Sequence, residues 1–124
     1  MTIFHKLRVI SEFRRHQMPF IESLVDMDLL REIGYHQVIG EPLTLSALFQ
    51  QRIASVATVQ RRLSRLKRID MVRAVNAKHD RRLLNLELGP KAWGLYFALE
   101  RKMTKVPRRR LGPLARGRRR KPPR

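Results

Sequence analysis

The chain has 124 residues, 43% of them apolar, which suits one modest core and a tail; 28 Lys and Arg stand against 10 Asp and Glu, a formal charge of +18. Such a surplus repels itself, and the usual reason to keep it is a polyanionic partner, most often nucleic acid. The lack of cysteine excludes disulfides, thiolate metal sites and thiol redox chemistry.

The charge is uneven: residues 1–40 carry five basic and five acidic side chains, residues 41–106 fourteen and five, and residues 107–124 nine and none. No apolar run approaches the ~20 residues of a membrane span. The N-terminus has neither the apolar core nor the small-residue cleavage site of a signal peptide. A cytoplasmic protein with no membrane partner is the expectation.

Ile3, Leu7, Ile10 and Phe13 recur at helical spacing over residues 3–16, with Lys6, Arg8, Glu12, Arg14 and Arg15 on other faces, and predict an amphipathic helix. Met18-Pro19 ends it, since the residue before proline leaves the helical region. A second helix is predicted from about Glu22 to Gln37, burying Leu24, Leu29, Leu30 and Ile33. Asp26 and Asp28 favour its first turns through the macrodipole, and Gly34 weakens its last.

Gly40-Glu41-Pro42 breaks the chain. Thr44 stands in the N-cap position of a short helix over 45–51, and Ser55 caps a helix over 55–68 whose apolar stripe is Val59, Leu63 and Leu66. Its other faces carry Thr58, Gln60, Arg61, Arg62, Ser64, Arg65 and Lys67. The β-prone run 71–75 and the alternation of Leu84, Leu86 and Leu88 flank a polar turn and predict a hairpin. Gly89-Pro90 resets the chain into a helix ending near Lys105, with Trp93, Tyr96, Phe97 and Leu99 as core or as a contact with a second copy. Residues 107–124 bury too little apolar surface to offset their ordering entropy and are expected to be disordered when free.

The expected fold class is therefore mainly α with a small β-hairpin (α+β): a winged helix-turn-helix with flanking helices over residues 1–106, its core at 43–88, followed by a basic tail. A helix fits the major groove of B-DNA, where each base pair presents a distinct pattern of donors and acceptors. On helix 55–68, Gln60 suits adenine, and Arg61 or Arg65 suits guanine. Ser55 and Thr58, near the helix start, suit phosphate oxygens. In the turn Lys78-His79-Asp80-Arg81-Arg82, Asp80 lies close enough to hold the Arg82 guanidinium while Arg81 or Arg82 enters a narrow minor groove.

Leu43-Thr44-Leu45-Ser46-Ala47-Leu48, the run from Ser55 to Leu66, Asp80-Arg81-Arg82 and Leu86-Glu87-Leu88 together resemble the winged helix-turn-helix of MarR-type transcriptional regulators, over roughly residues 24–99. The resemblance implies that Thr58, Gln60 and Arg61 contact the major groove and that Arg82 is a wing arginine braced by Asp80. It departs from the family's pattern at three points. Ile69-Asp70-Met71 occupies a turn that usually holds glycine, Arg62 stands where an apolar residue is common, and the basic tail replaces the last dimerisation helix. A homodimer would have to use residues 3–16 and 90–105, and the family's small-molecule pocket is not implied.

In the tail, Arg116-Gly117-Arg118 is similar to an AT-hook, in which glycine lets an extended Arg-Gly-Arg lie along an A·T minor groove; contact with phosphates alone is the other reading of so basic a segment. Catalytic motifs, metal-ligand spacings and phosphate-binding loops are missing, so no enzyme, metal or cofactor is expected. The leading expectation is a regulator that binds double-stranded DNA site-specifically and is associated with the nucleoid. An RNA-binding protein of ribosomal type and a silencer that binds A·T-rich DNA through its tail are the alternatives.

Overall fold

The computed structural model describes residues 2–105. They divide into two compact units, one running from Phe20 to Gly94 and the other built from residues 2–19 and 95–105.

The central unit holds α2 (Leu24–Val38), α3 (Leu45–Gln50), α4 (Val56–Arg68), β1 (Val72–Asn76), β2 (Leu84–Leu88) and the start of α5 (Pro90–Lys105). Side-chain caps begin its first three helices: Ser23 Oγ accepts from Asp26 N, Thr44 Oγ1 from Ala47 N and Ser55 Oγ from Thr58 N, each at 3.2 Å. Each satisfies an amide with no partner inside its helix and is worth about 1 kcal/mol. Both caps read from the sequence, Thr44 and Ser55, are thus in place.

Leu29, Leu30 and Ile33 of α2, Leu48 of α3, and Val59, Leu63 and Leu66 of α4 form the core with Met71, Val72, Leu86 and Leu88. Burying each large apolar side chain contributes roughly 1.5–3 kcal/mol. Leu24, expected in the core, is 68% exposed. The buried stripe of α2 runs through Asp26, Leu29, Leu30 and Ile33, and a residue two positions before Asp26 falls on the opposite face. Gly34 does not interrupt the helix end. It is buried in an unbroken α2, and a Cβ there would lie 2.9 Å from Leu88 Cδ1, so the missing side chain lets α2 approach β2.

β1 and β2 pair antiparallel with Val72 opposite Leu88 and Asn76 opposite Leu84. The other edge of β2 takes up the chain entering α3: Leu86 N donates to Leu43 O at 2.7 Å, and Thr44 pairs with Asn85. The turn from α4 into β1 is closed by Met71 N donating to Leu66 O at 2.9 Å, with Asp70 in the left-handed region at φ +64°. Aspartate thus adopts the conformation for which glycine is the commoner residue, and its carboxylate receives the Arg73 guanidinium at 3.2 Å.

The second unit comprises α1 (Ile3–Gln17) and the later turns of α5. Phe13 is buried and the Lys102 ammonium stands 6.0 Å from its ring centroid. The predicted stripe on α1 is only partly covered, because Ile3 is 60% and Leu7 51% exposed, with Phe4 beside them at 77%.

Candidate nucleic-acid interface

With Val59, Leu63 and Leu66 turned into the core, the 3.6-residue repeat puts Ala57, Arg61, Ser64 and Arg68 on the opposite face of α4, and all four are exposed. Gln60 and Lys67 are exposed beside them. Arg68 belongs to the outer face although it is not among the polar residues the sequence places there; the same three-and-four spacing contains it.

At the start of α4 the polar groups are linked. Ser55 Oγ donates to Thr58 Oγ1 at 3.0 Å, and Arg61 Nη2 reaches the same hydroxyl at 3.5 Å. Ser55, Thr58 and Arg61 therefore form one polar patch where unpaired backbone amides and the helix dipole favour an anion.

Arg62 and Arg65 behave differently. The Arg62 guanidinium forks onto the fully buried Asp26, Nε to Oδ1 at 2.7 Å and Nη2 to Oδ2 at 2.6 Å, and Nη2 also reaches Glu22 Oε1 at 2.9 Å. Arg65 Nη1 donates to Phe20 O at 2.8 Å, and its Nη2 lies 3.1 Å from Glu22 Oε2. The expectation that Arg65 points outward with Arg61 is thus corrected: in the structure it is engaged by the chain entering α2. Its position on the flank of the apolar stripe, within reach of Glu22, is the physical reason.

Burial alone raises the Asp26 carboxyl, but the Arg62 hydrogen bonds, the N–H of Glu22 and the charges of Arg62 and Arg65 outweigh it and hold the group below the usual carboxylate range. The same bonds to Asp26 and Glu22 raise Arg62 further above the range in which it titrates.

The hairpin turn is ordered by its own side chains. Ala77 N donates to Leu83 O at 2.9 Å and Asn76 Nδ2 to Arg81 O at 2.6 Å. Asp80 Oδ1 accepts from Arg82 N at 3.0 Å and from Arg82 Nε at 3.3 Å, while the Arg82 side chain stays 91% exposed. The carboxylate therefore holds the guanidinium in the manner expected, and Arg81 is exposed next to it. Arg116, Gly117 and Arg118 lie outside the described residues. Among the described residues no group of three or more His, Asp or Glu is placed to hold a metal ion, and no helix is long and apolar enough to cross a membrane.

The fold of the chain is found in solved structures. An S. aureus MepR–DNA complex superimposes with a TM-score of 0.61 at 18% identity, over 84% of this chain and 76% of that one. The transcriptional regulator Tm0710 from Thermotoga maritima gives 0.62 at 19%, over 90% and 78%, and Streptococcus pneumoniae FabT in complex with DNA gives 0.53 at 22%, over 93% and 84%. The fold is a winged helix-turn-helix. No protein-family model matches the chain, and no curated protein sequence matches it significantly. In this winged helix α3 and α4 are the helix-turn-helix pair, and the β1–β2 hairpin with Asp80 and Arg82 at its turn is the wing.

Proposed function

We propose that this chain is a transcriptional regulator of the MarR type that binds double-stranded DNA site-specifically, with α4 in the major groove and the wing, residues 76–82, at the flanking minor groove. One observation carries the reading: an exposed polar face on a rigidly packed α4 accompanies an exposed Arg82 held by Asp80. The DNA complexes of proteins with this fold support it.

The roles follow from chemistry. Gln60 and Arg61 read base edges through paired hydrogen bonds, each pair worth roughly 1–3 kcal/mol of discrimination. Ser55 and Thr58 hold phosphate oxygens at the helix start. Arg82, with Arg81 beside it, enters an A·T-rich minor groove where narrow walls concentrate negative potential. The protein acts by occupancy, blocking polymerase or a competitor, and performs no reaction. Arg116, Gly117 and Arg118 in the basic tail add affinity by A·T minor-groove or phosphate contact, and the protein resides on the nucleoid. Exposed Ile3, Phe4 and Leu7 on α1 and Phe97 on α5 support a homodimer through residues 3–16 and 90–105.

Selection from a random duplex pool tests this directly. A palindromic consensus is expected, because half-site symmetry mirrors a two-fold dimer. Arg61→Ala should then weaken the selected site more than random DNA, and Arg82→Ala should reduce preference for A·T-rich flanks. A pool with no consensus, or stronger binding to structured RNA than to duplex DNA at equal salt, would overturn the reading.

A further inference from the structure

Five cations, Arg61, Arg62, Arg65, Lys67 and Arg68, lie within eight residues of α4, and a purely electrostatic DNA-binding face would leave all five outward. Two of them are instead bound by carboxylates from the N-terminal end of α2. Asp26 is 0% exposed, and its oxygens are shared among Arg62 Nε, Arg62 Nη2 and the N–H of Glu22. Drawing Arg62 onto a DNA phosphate would leave the buried carboxylate with one hydrogen bond, from the backbone N–H of Glu22, and only the Arg65 Nη1 3.8 Å away as a cation, and weakening the pairing of a buried charge in that way is strongly unfavourable. Arg65, on the next turn, is tied to Phe20 O and to Glu22. Both anchors join α4 to the same short segment, residues 20–26.

Two anchors on one flank of a helix fix its roll about its own axis, which apolar contacts along a stripe constrain less sharply. A roll of about 20°, acting at the ~5–6 Å radius of a helix with its side chains, displaces a side-chain tip by about 2 Å. Paired hydrogen bonds to a base edge do not survive such a shift. We propose that Asp26 and Glu22, acting through Arg62 and Arg65, are positioning residues for sequence reading. They set the roll at which Gln60 and Arg61 meet the bases, and Arg62 and Arg65 do not contact DNA although they lie on the recognition helix. The inference rests on the DNA-binding reading above.

The test uses the full chain, the duplex site selected from the pool, and a random duplex. Affinity for each is measured across a salt series for the wild type, Asp26→Asn, Glu22→Gln, Arg62→Lys and Arg62→Gln, with thermal melting to verify folding. Neutralising Asp26 or Glu22 adds net positive charge and strengthens all DNA binding to some degree, so the ratio of site to random affinity is the quantity compared. Asp26→Asn and Arg62→Lys, which keeps the charge but cannot fork, should lower that ratio by about tenfold, the loss of roughly one paired base contact. Glu22→Gln should lower it less. The salt slope on random duplex should be the same for Arg62→Gln as for wild type.

A phosphate-contacting Arg62 would behave otherwise. Arg62→Gln would then weaken both duplexes equally and reduce the slope by about one, and Arg62→Lys would be nearly neutral; that pattern overturns the proposal. Folded Arg62→Lys with an unchanged ratio does so too, and this arm decides the matter where Asp26→Asn fails to fold. A wild type without site preference removes the regulator reading and this inference together, whereas site preference with phosphate-like variants removes only this one.

Discussion

Gly89→Ala isolates the joint between α4 and the wing. Gly89 follows β2, its N–H donates to Met71 O at 2.9 Å, and a Cβ built on it would lie 2.4 Å from the carbonyl oxygen of Asp70 and 3.4 Å from its carbonyl carbon. Ordinary carbon–oxygen contacts begin near 3.3 Å, so almost 1 Å must open. The Cβ position is fixed by the backbone and the atoms it meets are backbone, so no rotamer relieves the contact. Asp70 has little room to move, because its φ of +64° is fixed between the Met71-to-Leu66 hydrogen bond and the start of β1. Overpacking of this kind costs about 1–3 kcal/mol, and losing the Gly89–Met71 hydrogen bond adds about 1 kcal/mol. Alanine's smaller unfolded-state entropy offsets roughly 0.4–1 kcal/mol. The net is a loss of about 1–3.5 kcal/mol, a sizeable share of the 5–15 kcal/mol typical of a domain. Urea denaturation followed by far-UV circular dichroism measures it as a lower midpoint at unchanged slope. Gly94→Ala is the control: in the α5 interior with nothing within 4 Å, it should stabilise by up to about 1 kcal/mol through helix propensity. A loss under about 1 kcal/mol for Gly89→Ala would refute the reasoning, because the α4–β1 turn and the end of β2 would then move independently.

Three further outcomes follow from the same geometry. Asp26 is held below the ordinary carboxylate range, so its ionised form contributes stability that is fully present above the unfolded value of about 3.9 and is lost as pH falls through the lower folded value; Asp26→Asn should flatten the acid limb of a melting-temperature profile, and an unchanged limb would count against the Arg62 pairing. At neutral pH the same variant should lower the denaturation midpoint, because the Arg62 fork then faces a neutral amide with one acceptor oxygen and keeps only Glu22 as its carboxylate partner, and an unchanged midpoint in a urea titration would contradict this. Asp80→Ala should lower the melting temperature only slightly, since it removes one exposed turn hydrogen bond from Arg82 N and an ion pair whose arginine is 91% exposed, while reducing preference for A·T-rich flanks in competition binding; an equal loss on all flanks would separate Asp80 from Arg82.

The parts of the interface legible in the sequence are those determined within three or four residues. Ser55 and Thr44 are caps because a hydroxyl at that position reaches the amide three residues on, and Asp80 holds Arg82 across two positions. These arrangements hold wherever the surrounding helix or turn forms. Leu43 pairing with Leu86 and Gly34 under Leu88 join distant parts of the chain, and neither leaves a local pattern. The Arg62–Asp26 pair spans 36 residues, yet a signal for it exists. Asp26 lies three, four and seven positions before Leu29, Leu30 and Ile33, on the apolar face of α2, where a carboxylate survives only with a partner. Reading Asp26 as a helix-start charge accounts for its place in the first turn but not for its face.

That face also explains the arginine at position 62, where the resemblance leads one to expect an apolar side chain. An apolar residue there would pack α4 against α2 through non-directional contacts, which tolerate a small roll of the helix. The Arg62 fork tolerates little, since two donors must meet two carboxylate oxygens in one plane. Buried ion pairs are often no more stabilising than apolar residues of similar size, and their best-attested use is to specify one arrangement among several of similar energy. On that argument Arg62→Leu with Asp26→Leu should leave a folded protein of comparable stability but degrade its discrimination between selected and random DNA. Measured together, the denaturation midpoint and the affinity ratio separate the two roles: a fall in stability with discrimination intact would make the pair a packing feature, and retained stability with lost discrimination would make it the device that aims the helix.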